Sequence, residues 1–161
     1  MATSSIDLKS RLGEGGKGSY VLVMELARAC QLQIGKLGCF DFKPGYYFYV
    51  GSAFGPGGVA ARVKHHIMAS SRPRWHIDYL RRQCELQEVW FEIGAERLEH
   101  LWATALGGTV DVEIPVPGFG ATDSDCVSHL FYSIKPLTLT LVNAQFQREH
   151  ITMFNLVDAG K

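Results

Sequence analysis

A handful of polar side chains have the types and spacing for chemistry on a phosphate. Arg62 and His66 stand four residues apart, which on a helix makes them neighbours on one face. A guanidinium is a planar fork that matches phosphate oxygens and stays charged. A histidine one turn on can hydrogen-bond the same group or relay a proton. Tyr20 and Tyr49 add two phenols. A free phenol has a pKa of about 10, so either acts as a base near neutrality only beside a cation or against a metal-acidified water. Glu96 and Glu99 are the nearby acids. One carboxylate suffices to hold a magnesium ion that keeps most of its waters and also binds substrate phosphate. Each residue has a plainer reading: aromatics on strands usually pack, and single helical arginines, histidines and glutamates are usually solvated. The residues alone do not choose between Glu96 and Glu99.

The elements that must position them follow from pattern. "SYVLVMEL" (19–26) and "YYFYVGS" (46–52) are rich in β-formers and read as strands. Strand alternation puts Tyr46, Phe48 and Val50 on one face and Tyr47, Tyr49 and Gly51 on the other. "LQIGKLGCFDF" (32–42) reads as one strand with glycine kinks, ended by the turn Lys43-Pro44-Gly45. After a Gly/Pro loop at 54–58, Val59, Val63 and Ile67 predict a helix to about Ala69. Short helix, strand and helix are expected over 74–83, 86–94 and 95–106, the last with Leu98, Trp102, Ala105 and Leu106 toward the core. "HLFYSI" and "LTLTLV" read as late strands. This order predicts an α+β fold, a small, mainly antiparallel sheet flanked by helices. The expected layout is a flexible lead-in over 1–17, ending in the glycine-rich run "RLGEGGK", one domain over 18–135, and an extension over 136–161 packed on that domain.

With 16 basic and 16 acidic residues in 161, the chain carries no net charge. That argues against a surface that grips nucleic acid all over, but not against a local patch. Between Arg62 and Arg82 there are six basic residues and one acid, Asp78. Lys64, His65, Arg72, Arg74 and His76 are therefore the candidate nucleic-acid contacts. The four cysteines form no C-x-x-C pair, and neither a signal peptide nor a membrane-length apolar run is seen, so the expectation is a reduced, cytoplasmic protein with no membrane partner. Walker, dinucleotide, G-x-S-x-G and H-E-x-x-H motifs are absent. Cys126 and His129 form an isolated C-x-x-H, and a zinc site there would need two more ligands, with His76 and His100 the available ones.

Taken in order, "GSY", "YVG", a helical arginine and a helical glutamate resemble the GIY-YIG nuclease superfamily. The blocks "GSYVLVMEL", "IGKLGCFDFKPGYYFYVGSAFG", "RVKHH", "WHIDYL", "EHLWA" and "GFGATDSDCVSHLFY" more closely resemble one branch of it. That branch is a family of unknown function found alone or fused to DNA-repair glycosylases. The resemblance implies a metal-dependent endonuclease that hydrolyses DNA phosphodiesters, with DNA repair as its setting and Mg2+ or Mn2+ as cofactor. It implies Tyr20 as base with Tyr49 in support, Arg62 on the transition-state charge, His66 as the polar residue one turn on, and Glu99 as metal ligand. A second reading keeps the fold as a nucleic-acid-binding module without turnover.

Some positions depart from the pattern. Ser19 stands where the superfamily has a β-branched apolar residue, and the loop before Arg62 is long. Arg74, His100 and Ser124 replace a histidine and two cysteines of the branch. These replacements argue against an accessory metal or thiol role and leave the five nuclease positions untouched.

Overall fold

The computed structural model describes residues 5–69, 71–121, 126–148 and 150–156, with the backbone alone described for 5–7. In chain order the elements are α1 (Ser5–Arg11), β1 (Gly18–Leu26), β2 (Cys30–Ile34), β3 (Gly38–Phe42), β4 (Gly45–Ala53), α2 (Gly58–Met68), α3 (His76–Arg81), β5 (Glu85–Ile93), α4 (Glu99–Gly107), β6 (Leu130–Ser133), α5 (Leu139–Phe146) and β7 (Thr152–Asn155). Five strands form one sheet in the order β6-β4-β1-β5-β7, and every neighbouring pair is antiparallel. The fold is α+β, an antiparallel sheet flanked by helices.

Side-chain alternation on the central strands builds two cores, one on each face. Tyr20, Leu22, Met24, Tyr47 and Phe91 are buried with Val59, Val63 and Ile77 of α2 and α3. Val21, Val23, Phe48, Val50 and Trp90 are buried with Leu98, Trp102 and Leu106, from the start and body of α4, and with Val142 and Phe146 of α5. The expected split of the 46–52 strand holds, and so do the buried Leu98, Trp102 and Leu106. Among the described residues, no helix is long and apolar enough to cross a membrane.

Four expectations need correction. The stretch 32–42 is a hairpin rather than one kinked strand: the chain turns between β2 and β3, where Gly35 and Gly38 take φ of +48° and +133°, and the two strands pair from Cys30–Phe42 to Ile34–Gly38. The lead-in is not featureless either. It contains α1, Leu8 and Leu12 are buried in the first core, and the glycine run docks on α2. The Val59 N–H donates to the Gly16 carbonyl at 3.0 Å, and a Cβ on Gly58 would lie 2.1 Å from that oxygen. The glycines there permit a close approach rather than freedom.

"LTLTLV" forms helix, not strand. The Thr138 hydroxyl accepts from the Leu141 N–H at 3.2 Å and caps α5. Val142 and Phe146, four apart, bury one stripe of it, and the Phe146 ring stacks on Trp102 at 5.0 Å with 4° between planes. Tertiary burial overrides a β-prone composition here. Finally, β7 was not expected at all, and it pairs with β5 from Glu88–Asn155 to Phe91–Thr152. The Phe146→Ala variant is expected to lose about 3–5 kcal/mol of stability, the usual cost of a large-to-small change in a packed core. Urea unfolding checks this, and a loss under about 1 kcal/mol would mean that α5 does not share the domain's core.

Candidate active site

The site begins on β1. Tyr20 lies opposite Gly51 in the β1–β4 ladder. A Cβ on Gly51 would sit 2.4 Å from the Tyr20 ring carbon Cζ, so the missing side chain is what lets the ring lie across β4. The ring is 1% exposed, and its hydroxyl meets His66 Nε2 at 2.8 Å. Arg62, one turn earlier on α2, hydrogen-bonds the same hydroxyl. Its guanidinium also rests over the Trp75 ring, 4.4 Å from the centroid, a contact that limits where so long a side chain can point. Tyr49 shares this face of the sheet, with its ring 6.3 Å from His66 and 6.2 Å from Phe119.

Glu99 comes from the other layer. Helix α4 starts at Glu99 rather than at Ala95, because the buried Ser19 hydroxyl accepts the N–H of Leu98 at 3.2 Å. Ser19 thus supplies a bond that a β-branched apolar residue could not. The carboxylate lies in the first helical turn, where the helix dipole favours negative charge. It accepts from His129 Nδ1 at 2.9 Å and from the Ser52 side chain. Glu96 instead pairs with Arg148 at 3.2 Å, and Arg148 also binds Glu92. Glu99 is the one of the two whose charge is among the named influences on both Tyr20 and Tyr49.

Residues 19–150 match the family described as Domain of unknown function DUF123. The chain belongs to that family. The matched span contains Tyr20, Tyr49, Arg62, His66 and Glu99, together with His129, which bonds Glu99, and Ser19, which accepts the Leu98 N–H. No curated protein and no solved structure matches the chain.

Burial dominates the electrostatics of the DUF123 domain's tyrosines. It pushes Tyr20 well above its ordinary pKa, and charge on Tyr49 and Glu99 adds to this. Arg62 acts in the expected, lowering direction but is outweighed. Tyr49 is raised by burial and by Glu99. Both phenols are therefore protonated at neutral pH. Burial holds His66 itself down to about 3, so its imidazole is neutral. Burial works against charge on Glu99 too, but the bonds from His129 and Ser52 prevail and hold its carboxyl below the ordinary range.

The candidate nucleic-acid contacts divide. Arg62, His65 and Arg74 line one cleft of about 270 Å³ with Trp75 and the Gly55–Gly58 loop. Lys64 and Arg72 are exposed on the surface outside that cleft. His76 turns inward instead: its Nδ1 accepts the Gly120 N–H at 2.9 Å, and its ring packs on Phe119. The four possible zinc ligands do not converge. Cys126 Sγ meets His100 Nδ1 at 3.1 Å, His129 serves Glu99 and His76 serves Gly120. Ser124 lies outside the described residues.

Three contributors were missed from sequence: His129 as the partner of Glu99, Trp75 as the platform for Arg62, and Asp78 as the anchor of His65. The Asp78 carboxylate accepts from the Arg74 and Trp75 N–H groups at 2.8 and 3.1 Å and meets His65 Nε2 at 3.0 Å. Its one legible signal was being the single acid in a basic stretch.

His66 also sets a pH dependence. Unfolded, it titrates near 6.5, whereas in the fold it resists protonation down to about 3. Below about pH 6.5 the unfolded chain binds a proton that the folded one refuses, so stability falls with pH by up to about 1.4 kcal/mol per unit. His76, lowered by burial, adds in the same direction. Asp78 and Glu99 are held low by their partners, and what they contribute is lost only below about pH 4. The His66→Gln variant should show a shallower decline between about pH 6.5 and 4.5 in urea unfolding. An unchanged slope would mean that the imidazole is hydrated in the fold.

Proposed function

We propose that this DUF123 domain is a divalent-metal-dependent endonuclease of the GIY-YIG type, hydrolysing DNA phosphodiesters in a repair setting in the cytoplasm. The observation that carries the reading is the Tyr20 hydroxyl held between His66 Nε2 and Arg62, with the charged Glu99 close enough to act on it. On this reading Tyr20 is the proton acceptor, Arg62 the phosphate-matching cation and Glu99 the metal-binding carboxylate.

The residues present fit a magnesium ion. Glu99 is ionised at neutral pH, its side chain is 28% exposed, and it offers hard oxygen donors oriented by His129 and Ser52. A single such carboxylate suits an ion that keeps most of its waters. When bound, magnesium or manganese would supply Lewis-acid stabilisation and an acidified water. The chain does the rest. Arg62 places its fixed charge on the phosphate and offsets the negative charge that builds up there. Tyr20, its hydroxyl positioned by His66 and ionised against the Arg62 charge, takes the proton of the attacking water. Tyr49 supports this from the same face.

One observation favours the alternative, a nucleic-acid-binding module without turnover: the Tyr20 ring is 1% exposed, and burial opposes its ionised form. Purified protein incubated with labelled duplex, nicked, flap and single-stranded DNA separates the two readings. Cleavage should need Mg2+ or Mn2+, stop with chelator and vanish in Glu99→Gln, while Tyr20→Phe and His66→Gln each lose about 10²–10⁴-fold. Tight binding with no cutting of any substrate by the wild type would favour the module. Equal cutting by Glu99→Gln would remove the metal role. His129→Ala is expected to weaken Mg2+ affinity, and so raise the Mg2+ concentration needed, by about 10–100-fold, the usual cost of losing a ligand's hydrogen-bond partner. The metal concentration at half-maximal cleavage checks this, and no shift would make His129 purely structural.

A further inference from the structure

We propose that His65, His66 and Asp78 form a binding site for a transition-metal dication of the zinc class, distinct from the Glu99 carboxylate. Each of the three offers one ligand atom, and these atoms lie within 4.8 Å of one another. His65 Nε2 and Asp78 Oδ1 are already 3.0 Å apart. Residues 65 and 66 come from α2 and residue 78 from α3, so two elements converge on the site.

His66 is the decisive member. It is 1% exposed, Tyr20 occupies its Nε2, and its buried Nδ1 has no hydrogen-bond partner. A buried polar atom without a partner is costly, and the tie between His65 and Asp78 does not explain it. An imidazole with one nitrogen held by a neighbour and the other unclaimed has the arrangement of a metal-ligating histidine. Asp78 is prepared in the same way: the backbone N–H groups of Arg74 and Trp75 hold its Oδ2 and leave Oδ1 facing His65.

Donor chemistry selects the ion. Two imidazoles and one carboxylate suit zinc and related borderline ions, with a fourth position left for water or an anion. Magnesium prefers oxygen donors throughout, so the two sites do not compete for one metal. Arg62 and Arg81 lie close enough for their charge to act on His66 and oppose any cation, which favours an ion with strong affinity for imidazole over a weak one. His65, its side chain 22% exposed, lines the cleft shared with Arg62 and Arg74, so the open position can meet solvent or a phosphate there.

The test needs no cleavage assay and stands whether or not the protein cuts DNA. Metal-free full-length protein is titrated with Co2+, followed by visible absorption, and with Zn2+ by equilibrium dialysis. Wild type and Glu99→Ala should each bind one equivalent, with cobalt bands of a nitrogen- and oxygen-ligated ion. His65→Gln, changed at a partly exposed position, should keep its circular dichroism and bind Zn2+ well over about tenfold more weakly, beyond what loss of an outer partner costs. The proposal is overturned if wild type takes up neither ion, if His65→Gln binds as wild type does, or if binding is lost in Glu99→Ala or in Cys126→Ser.

Discussion

The Tyr20 ring lies over Gly51, and nearly every other feature of the site follows from that placement. Two central strands run antiparallel, one carrying a large aromatic where the other has no side chain. The ring fills the gap, so its hydroxyl ends under α2, where His66 and Arg62 meet it. A side chain at position 51 would push the ring away from both. The hydroxyl is then the polar link between the sheet and the helix above it, in a layer otherwise held by apolar contacts such as Val59 and Val63.

Burial of that hydroxyl has two opposite consequences. Desolvation disfavours the charged form of every group beside it, so both tyrosines stay protonated and His66 stays neutral. The same low-dielectric surroundings strengthen the hydrogen bond between the neutral phenol and the imidazole. Charge is kept at the margins. Arg62 lies over Trp75 at the cleft, and Glu99 lies at the start of α4 with its carboxylate oriented by His129 and Ser52. The cation and the anion come from opposite layers of the sheet, and β1 serves both: Tyr20 faces α2, and its neighbour Ser19 faces α4.

The basic stretch that looks like one surface in sequence is divided by packing. Arg62, His65 and Arg74 gather around Trp75 at the cleft, while His76 is drawn inward to hold Gly120 near the Tyr49 ring. Asp78, the single acid among them, is consumed by backbone N–H groups and His65 and ties α2 to α3. The fold thus uses several polar residues of the matched family to build the floor of the cleft and leaves fewer to face a ligand.

Periodicity determined a good deal without any structure. Alternation on 46–52 separated the two faces of β4, and the four-residue spacing of Val59, Val63 and Ile67 marked α2. Those signals are local, and local rules describe them well. Tertiary structure alone decided the rest. Leu139–Phe146 became a helix because Trp102 offered a face for Phe146 to stack on. Glu99 was separated from Glu96 by His129 and Arg148, each distant in sequence. Whether a tyrosine is charged depends on how much water surrounds it, and that is set by the assembled layers rather than by any neighbour in the chain.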